Sequence, residues 1–216
     1  KNVVMEGVQI TSNQIYGGSI GGVVGFSWGT IENCSVSGSV SGTVYVGGVV
    51  GAQWGGSITG CSSSATVKGM VYVGGVVGQT NGNTITLTAC YATGNVTLEI
   101  APKKNIAGGG LVGMNAGSSL LSCYATGNVT STGSSTGYVH IGGFLGDNYT
   151  DVTACYWKNN HEQGIGYNTK ATEATKVDGS VVTWQNAVDA MNTALQNAGS
   201  EWRYELNGAL PTLRKQ

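Results

Sequence analysis

The acidic residues of this 216-residue chain are the first candidates for catalysis. Residues 1–157 contain five carboxylates, and the closest pair in sequence is Asp147 and Asp151. Glycoside hydrolysis needs two facing carboxylates, so this pair could act as acid and base, although a solvated turn is the simpler interpretation. A uronate lyase would also need a cation near the substrate carboxylate, and the first arginine of the chain is Arg203. The sequence therefore predicts no glycosidase or lyase centre.

The histidines give no stronger indication of chemistry. His161 and Glu162 begin like the His-Glu-x-x-His motif of zinc peptidases, but Ile165 stands where the second histidine would bind the metal. His140 directly precedes an apolar position of a predicted strand, which favours an outward, structural side chain. No cysteine has the spacing of a metal site. We therefore predict no catalytic residue, no metal site, no cofactor and no enzymatic activity.

Regularly spaced aromatic residues are the main candidates for a binding site. The block Gly-Gly-apolar-apolar-Gly occurs five times, and the position seven residues after its first glycine holds Trp28, Trp54, Asn81, Ala116 and Tyr149. Aligned exposed rings can stack on sugars or contact a partner protein, whereas rings packed into turns would only cover the backbone. We predict a site formed by the large rings of this column and by two tyrosines that precede the second and third blocks: Trp28, Trp54, Tyr149, Tyr45 and Tyr72.

The elements that would position these rings are repeats. The five blocks begin at Gly21, Gly47, Gly74, Gly109 and Gly142. One cysteine follows each block by 13 to 16 residues, namely Cys34, Cys61, Cys90, Cys123 and Cys155. Each repeat holds about three short segments rich in Val, Ile and Thr, separated by Gly, Ser and Asn, which predicts three strands per repeat. The cysteines should then stack as a column of buried free thiols, because side chains in register on parallel strands point the same way.

This pattern predicts an all-β fold, a right-handed parallel β-helix or solenoid of about five coils, over residues 1–157. Stacked repeats contact only their neighbours and merge their apolar columns into one continuous core. The recurrence of the glycine block excludes a phosphate-binding loop, which occurs once and opens a helix.

Two stretches, Gly74–Val96 and Gly109–Val129, resemble the GLUG motif, which recurs in surface proteins of gut Bacteroidetes and beside adhesins and IgA-cleaving metallopeptidases. The resemblance covers roughly residues 16–157, is strongest in the third and fourth copies, and is degenerate in the first two. It implies an exported, adhesin-like repeat protein, and it transfers no catalytic residue.

Residues 158–216 are predicted to be a capping segment. Apolar residues at helical spacing predict a helix at about 184–198, with Thr183 as N-cap and Gly199 after its last turn. Residues 202–213 predict a hairpin around a two-residue turn, Asn207-Gly208. Such an element should close the end of the solenoid.

Composition restricts the partners. Charged residues make up 10% of the chain and the net charge is −1, which gives no basis for binding nucleic acid. No apolar run is long enough for membrane insertion. We expect part of a longer exported polypeptide at a bacterial cell surface, acting as a non-catalytic adhesion, binding or scaffold module for an extracellular glycan or a host or bacterial surface protein. The alternative is a carbohydrate-active β-helix enzyme, either a polysaccharide lyase or a glycoside hydrolase.

Overall fold

The computed structural model describes residues 1–13, 18–100, 102 and 104–216 and has the predicted architecture, a parallel β-solenoid of about five coils. One helix, α1 (Trp184–Asn197), and an antiparallel hairpin follow the coils. Among the described residues, no helix has the length and apolar character that a membrane span requires. The right-handed sense of the solenoid stays a prediction.

The strands up to the end of the second coil are β1 (Val4–Thr11), β2 (Ser19–Gly21), β3 (Val24–Ser27), β4 (Ile31–Glu32), β5 (Ser35–Ser41), β6 (Tyr45–Gly47), β7 (Val50–Gln53), β8 (Ser57–Thr59), β9 (Ser62–Ser63) and β10 (Thr66–Gly69). The third and fourth coils contain β11 (Tyr72–Gly74), β12 (Val77–Thr80), β13 (Ile85–Thr88), β14 (Tyr91–Ala92), β15 (Val96–Ile100), β16 (Ile106–Gly109), β17 (Val112–Asn115), β18 (Ser118–Leu121), β19 (Tyr124–Ala125) and β20 (Val129–Gly133). The remaining strands are β21 (Val139–Gly142), β22 (Leu145–Asn148), β23 (Val152–Thr153), β24 (Tyr156–Trp157), β25 (Ile165–Asn168), β26 (Thr175–Lys176), β27 (Trp202–Glu205) and β28 (Thr212–Lys215).

Four parallel sheets run along the solenoid. Sheet B consists of β2, β6, β11, β16 and β21, which open the first to fifth coils. Sheet C contains β3, β7, β12, β17, β22 and β25, and sheet D contains β4, β8, β13, β18 and β23. Sheet A combines β5 of the first coil, the two segments that close each of the second to fourth coils and β24 of the fifth coil, together with β1 and β26. Among the described residues, the second to fourth coils therefore have five strand segments each, and the prediction of three was wrong because two sharp bends divide the predicted segments.

The first bend is the glycine block between sheets B and C. A Cβ atom on Gly47 would lie 2.0 Å from the carbonyl oxygen of Val50, and one on Gly78 would lie 2.5 Å from the amide nitrogen of Val46. Backbones of neighbouring strands thus touch where a side chain would stand, which only glycine permits. The block is a folding device of the solenoid.

The second bend lies before each cysteine, between sheets D and A. The preceding residues all have positive φ, between 48° and 62°: Asn33, Gly60, Ala89, Ser122 and Ala154. The cysteines are buried and free, and they form the predicted column, although it lies at this corner and not along a strand. The amide of Cys90 donates to the sulfur of Cys123, and the amide of Cys123 donates to that of Cys155, each over 3.4 Å. A thiol column therefore satisfies backbone donors that the bend turns away from carbonyl partners.

The C-terminal segment lies along the side of the solenoid. Strands β25 and β26 continue sheets C and A beyond the boundary predicted at residue 157, so the solenoid itself covers the end of the fifth coil. Helix α1 and the hairpin pack instead on the corner beside the cysteines, burying Trp184, Met191, Leu195, Trp202 and Tyr204 against Tyr124 and Tyr156. The division into domains at 157/158 and the capping role of residues 158–216 stay predictions, and the structure adds that α1 and the hairpin pack beside the coils.

In this segment the structure confirms the predicted ends of the helix but not the predicted turn of the hairpin. Thr183 caps α1 through a bond from the Asn186 amide, and Gly199 follows the helix at φ 67°, both as predicted. The two-residue Asn207-Gly208 turn was wrong, because Glu205 pairs with Thr212 and the loop spans residues 206–211. That loop is lengthened by its packing on the solenoid, where the carbonyl oxygen of Pro211 accepts a 2.5 Å bond from the Tyr124 hydroxyl.

Candidate functional site

A buried polar ladder positions the aromatic column at the corner between sheets C and D. The Thr80 hydroxyl donates to Oδ1 of Asn115 over 2.7 Å, and amide groups continue the chain from Asn115 to Asn148 and from Asn148 to Asn168, over 2.8 and 2.9 Å. The residue after each ladder position points the opposite way, because successive side chains of extended backbone alternate. Each coil thus presents one corner side chain to solvent.

These corner positions are the predicted column, and the structure confirms their alignment. Backbone amides of successive corner residues bond to the carbonyl of the residue that precedes the corner position one coil earlier: Trp54 to Ser27, Asn81 to Gln53, Ala116 to Thr80 and Tyr149 to Asn115. The rings themselves form separate groups, because Asn81 and Ala116 leave a gap of two coils between Trp54 and Tyr149.

The first group is an aromatic platform, defined here as Phe26, Trp28 and Trp54. Ring centroids lie 5.2 Å apart for Phe26–Trp54, 5.9 Å for Trp28–Trp54 and 6.1 Å for Phe26–Trp28, all in edge-to-face contact. Trp28 is 65% exposed and Phe26 is 44% exposed, whereas Trp54 is half-buried with its Nε1 atom enclosed. Sequence reasoning missed Phe26, which strand alternation places on the outer face of β3, on the same side as Trp28.

Tyr45 and Tyr72 form the second group on sheet B. Their rings stack at 5.8 Å with an interplanar angle of 20°, as equivalent positions of paired strands should. Burial and the Tyr138 hydroxyl raise the pKa of Tyr72 above its usual value, so this phenol stays protonated at physiological pH. Both tyrosines are half-buried, so they combine packing with a partly accessible surface.

Tyr149 belongs to a third group at the far end of the coils. It is 37% exposed and contacts Tyr167 at 6.0 Å between centroids. The His140 ring lies between Tyr138 and Tyr167, stacked at 4.6 Å and 4.9 Å. Sequence reasoning missed Tyr138 and Tyr167. The Gly164-Ile165-Gly166 stretch before Tyr167 is the remaining trace of a sixth glycine block and could have revealed that residue.

A buried carboxylate lies beneath this third group. Asp147 is fully buried, and its Oδ1 atom lies 2.6 Å from Nδ1 of His140, while its Oδ2 atom has no hydrogen-bond partner among the described residues. Burial raises the pKa of Asp147, and the contact with His140 opposes that rise. Asp151 is exposed, so Asp147 and Asp151 do not form a facing pair in one cleft.

The other candidate for chemistry has a structural role. Nε2 of His161 lies 2.9 Å from the carbonyl oxygen of Val129, and its amide is bonded to the Asn159 side chain. Among the described residues, no three His, Cys, Asp or Glu side chains form a group that could hold a metal ion.

Comparison with known proteins adds a motif and a fold. The family model described as "The GLUG motif" matches residues 16–41 and 42–68. These matches fall on the first two copies, whereas the resemblance was predicted to be strongest in the third and fourth. The first two glycine blocks recur at intervals of 26 and 27 residues, whereas insertions after β15 and β20 lengthen the later copies.

A crystal structure from Bacteroides ovatus, described as that of a candidate immunoglobulin A1 protease, is similar to this chain with a TM-score of 0.70 and 18% identity. The similarity covers 99% of this chain and 68% of that one, and at this identity it shows the fold alone. A search of curated proteins gives no match. The chain therefore carries GLUG motifs in the first coils of a parallel β-solenoid whose fold it shares with the Bacteroides ovatus protein.

Proposed function

We propose that this chain is a non-catalytic binding module of a bacterial cell-surface protein, which contacts an extracellular glycan or a surface protein through the aromatic platform. The exposure of Phe26 and Trp28, two large rings in mutual contact on a rigid corner, is the observation that carries this proposal. Contiguous exposed apolar surface is uncommon on soluble proteins unless it meets a ligand or partner. Indole and phenyl faces are also the groups that stack on sugar rings.

The platform is preorganised, which favours binding. Trp54 is half-buried and holds the other two rings through edge contacts, while its amide is fixed to the carbonyl oxygen of Ser27 over 2.9 Å. A ligand would therefore meet rings that lose little further conformational freedom. The gap of two coils in the corner column favours a ligand that contacts each aromatic group locally over one that runs along the whole solenoid.

A surface location is part of the same proposal. The Bacteroides origin of the protein with the shared fold and the two GLUG motif matches support an exported polypeptide. The low charge and the Gly-, Ser- and Thr-rich turns of this chain are compatible with it. Immunofluorescence on intact cells of the source bacterium, with and without protease treatment of the cell surface, tests this location.

Fewer observations support an enzymatic function than support binding. The name of the Bacteroides ovatus protein favours a protease, and the β-helix architecture is compatible with carbohydrate-active enzymes. Against hydrolysis by a carboxylate pair, Asp147 is buried against His140 and Asp151 is exposed. Incubation with a polysaccharide panel and with immunoglobulin A1 tests these alternatives. Turnover, measured as new reducing ends, unsaturated uronate or immunoglobulin fragments, would contradict the proposal if it survived repurification.

The binding test uses a Phe26→Ala/Trp28→Ala double variant on a glycan array and on immobilised mucin. Because both side chains are exposed, we expect binding to fall at least tenfold while the melting temperature stays nearly constant. Val181→Ala is the matched control, since Val181 is 82% exposed and lies in the segment before α1. Equal binding by the wild type and the double variant would exclude the platform as the contact surface.

A further inference from the structure

A groove lies on sheet D, next to the gap in the corner column. It holds a cavity of about 350 Å³, and the small corner residues Asn81 and Ala116 lie outside the lining of that cavity. Tyr149 bounds it on the side of the fifth coil, and Thr84 and Gly117 lie at its corner edge. This groove is separate from the aromatic platform, which lies on the first and second coils.

Close backbone packing leaves no space for a side chain at Gly117, on the floor of the groove. A Cβ atom on Gly117 would lie 2.4 Å from the carbonyl oxygen of Gly82, so no side chain can rise there without moving the neighbouring coil. Exposed hydroxyl groups stand beside it, because Thr86 and Ser119 are register partners on β13 and β18 and both face outward. Successive coils lie about 4.8 Å apart, so these hydroxyls form a short, regularly spaced row.

Two opposite charges lie at one end of the groove. Asp151 and Lys170 both line the cavity and both are exposed. Within the part of the chain that the structure describes, neither side chain forms an ion pair, so both retain hydrogen-bonding capacity for a ligand. Because the two charges cancel, the groove favours an uncharged ligand that can donate to a carboxylate and accept from an ammonium group.

We infer that this groove is a second binding site, for a short uncharged saccharide. Its walls combine the features that such a ligand requires. Tyr149 offers a partly exposed ring for stacking, hydroxyl side chains face the ligand edges, and a carboxylate and an ammonium group stand ready for sugar hydroxyls.

The experiment titrates the ¹⁵N-labelled protein with cellotriose, maltotriose and triacetylchitotriose, and with trigalacturonate as the charged comparison. At least one neutral trisaccharide should shift the amide signals of Thr86, Ser119 and Tyr149 with saturable affinity. The signals of Trp28 should stay unchanged. Because the groove charges cancel, affinity for the neutral ligand should vary less than twofold between low and high salt.

Two variants test the assignment. Tyr149→Ala removes the stacking ring, and Ser119→Trp places a large ring inside the groove, so each should weaken neutral-saccharide binding at least tenfold. Ser119 is exposed, so the filled variant should keep the wild-type fold and melting temperature. Trp28→Ala should leave this affinity unchanged.

Other outcomes would overturn the inference and leave the proposed function testable on its own. Binding that is lost in Trp28→Ala and retained in Tyr149→Ala would place the sugar on the aromatic platform and not in the groove. Binding of trigalacturonate alone would contradict the uncharged ligand class. Absence of any saturable shift at Thr86 and Ser119 up to millimolar trisaccharide would exclude a saccharide site here.

Discussion

The Nδ1 atom of His140 lies 2.6 Å from the Oδ1 atom of Asp147, and this contact joins the outer faces of sheets B and C in the fifth coil. The His140 side chain is 26% exposed and Asp147 is completely buried. The pair thus places a titratable carboxyl beneath aromatic rings. Burial raises the pKa of Tyr72 and of Tyr149, and the Asp147 carboxylate adds to both shifts.

Asp147→Asn should increase stability at neutral pH. Burial raises the pKa of Asp147, so the folded protein holds this proton to higher pH than the unfolded chain does. The contribution of this carboxyl is therefore most favourable at acid pH and declines as the pH rises through the folded-state pKa. The asparagine side chain of this variant carries no negative charge and keeps an oxygen that accepts from His140. We therefore expect the unfolding free energy at pH 7 to rise by about 1 kcal/mol. Urea denaturation at pH 4 and pH 7 measures the change.

Asp151→Asn is the matched control for this prediction, because Asp151 is exposed. Its effect should stay within about 0.5 kcal/mol at both pH values. A loss of stability in Asp147→Asn at pH 7 would mean that pairing with His140 outweighs the cost of burying the carboxylate.

Gly60→Ala should loosen the C-terminal segment from the solenoid. A Cβ atom at this position would lie 2.2 Å from the Trp202 ring, in a backbone with φ +62°. Gly199 has nearly the same φ, +67°, and among the described residues only its two chain neighbours would lie within 4 Å of a Cβ atom there, so Gly199→Ala isolates the backbone strain. We expect about 1 kcal/mol of destabilisation at Gly199 and about 1–3 kcal/mol more at Gly60, measured by urea denaturation. Equal losses in the two variants would contradict the packing of Trp202 on this corner.

The five cysteines should be unreactive in the folded protein and free on unfolding. Burial raises the pKa of the Cys90 and Cys123 thiols well above the ordinary range, which removes the thiolate that reacts with disulfide reagents. Titration with Ellman's reagent at pH 8 should find almost no fast-reacting thiol in the native protein. Denatured protein that has not been reduced should show close to five. One thiol or fewer after denaturation would mean that the column contains disulfides.

Repetition explains why so much of this fold could be predicted from the sequence. The glycine block, which begins for example at Gly47 and Gly74, recurs along the chain, and a cysteine such as Cys61 follows each copy at a nearly fixed offset. In a solenoid, residues at equal offsets occupy stacked positions, because every coil contacts only its neighbours. Helix α1 was also predicted to within one residue at its C-terminal end, since Thr183 and Gly199 are local signals. In both cases the determining contacts are either periodic or close in sequence.

The candidate site was only partly predictable for the opposite reason. Alignment of Trp28 and Trp54 follows from repeat offsets, but the contact of Phe26 with Trp54 depends on how two side chains turn on adjacent coils. The sandwich of His140 between Tyr138 and Tyr167 joins a loop, a strand and an imperfect sixth copy. The imperfect sixth glycine block could have indicated the position of Tyr167, but these ring contacts depend on side-chain orientation, which no sequence period reveals.

By itself, the sequence determined the coil number, the glycine bends, the cysteine column and the boundaries of α1, because each depends on a pattern repeated along the chain or contained within a few residues. Only the tertiary structure decided where the C-terminal segment lies. The Tyr204 hydroxyl bonds to the carbonyl oxygen of Ser122 over 2.9 Å, and Lys215 pairs with Glu32 of the first coil over 2.9 Å. These contacts join residues 82 and 183 positions apart, and their partners are selected by burying the apolar faces of α1 and the hairpin against the tyrosines beside the cysteine column. That choice depends on the shape of the assembled solenoid, which no local pattern contains.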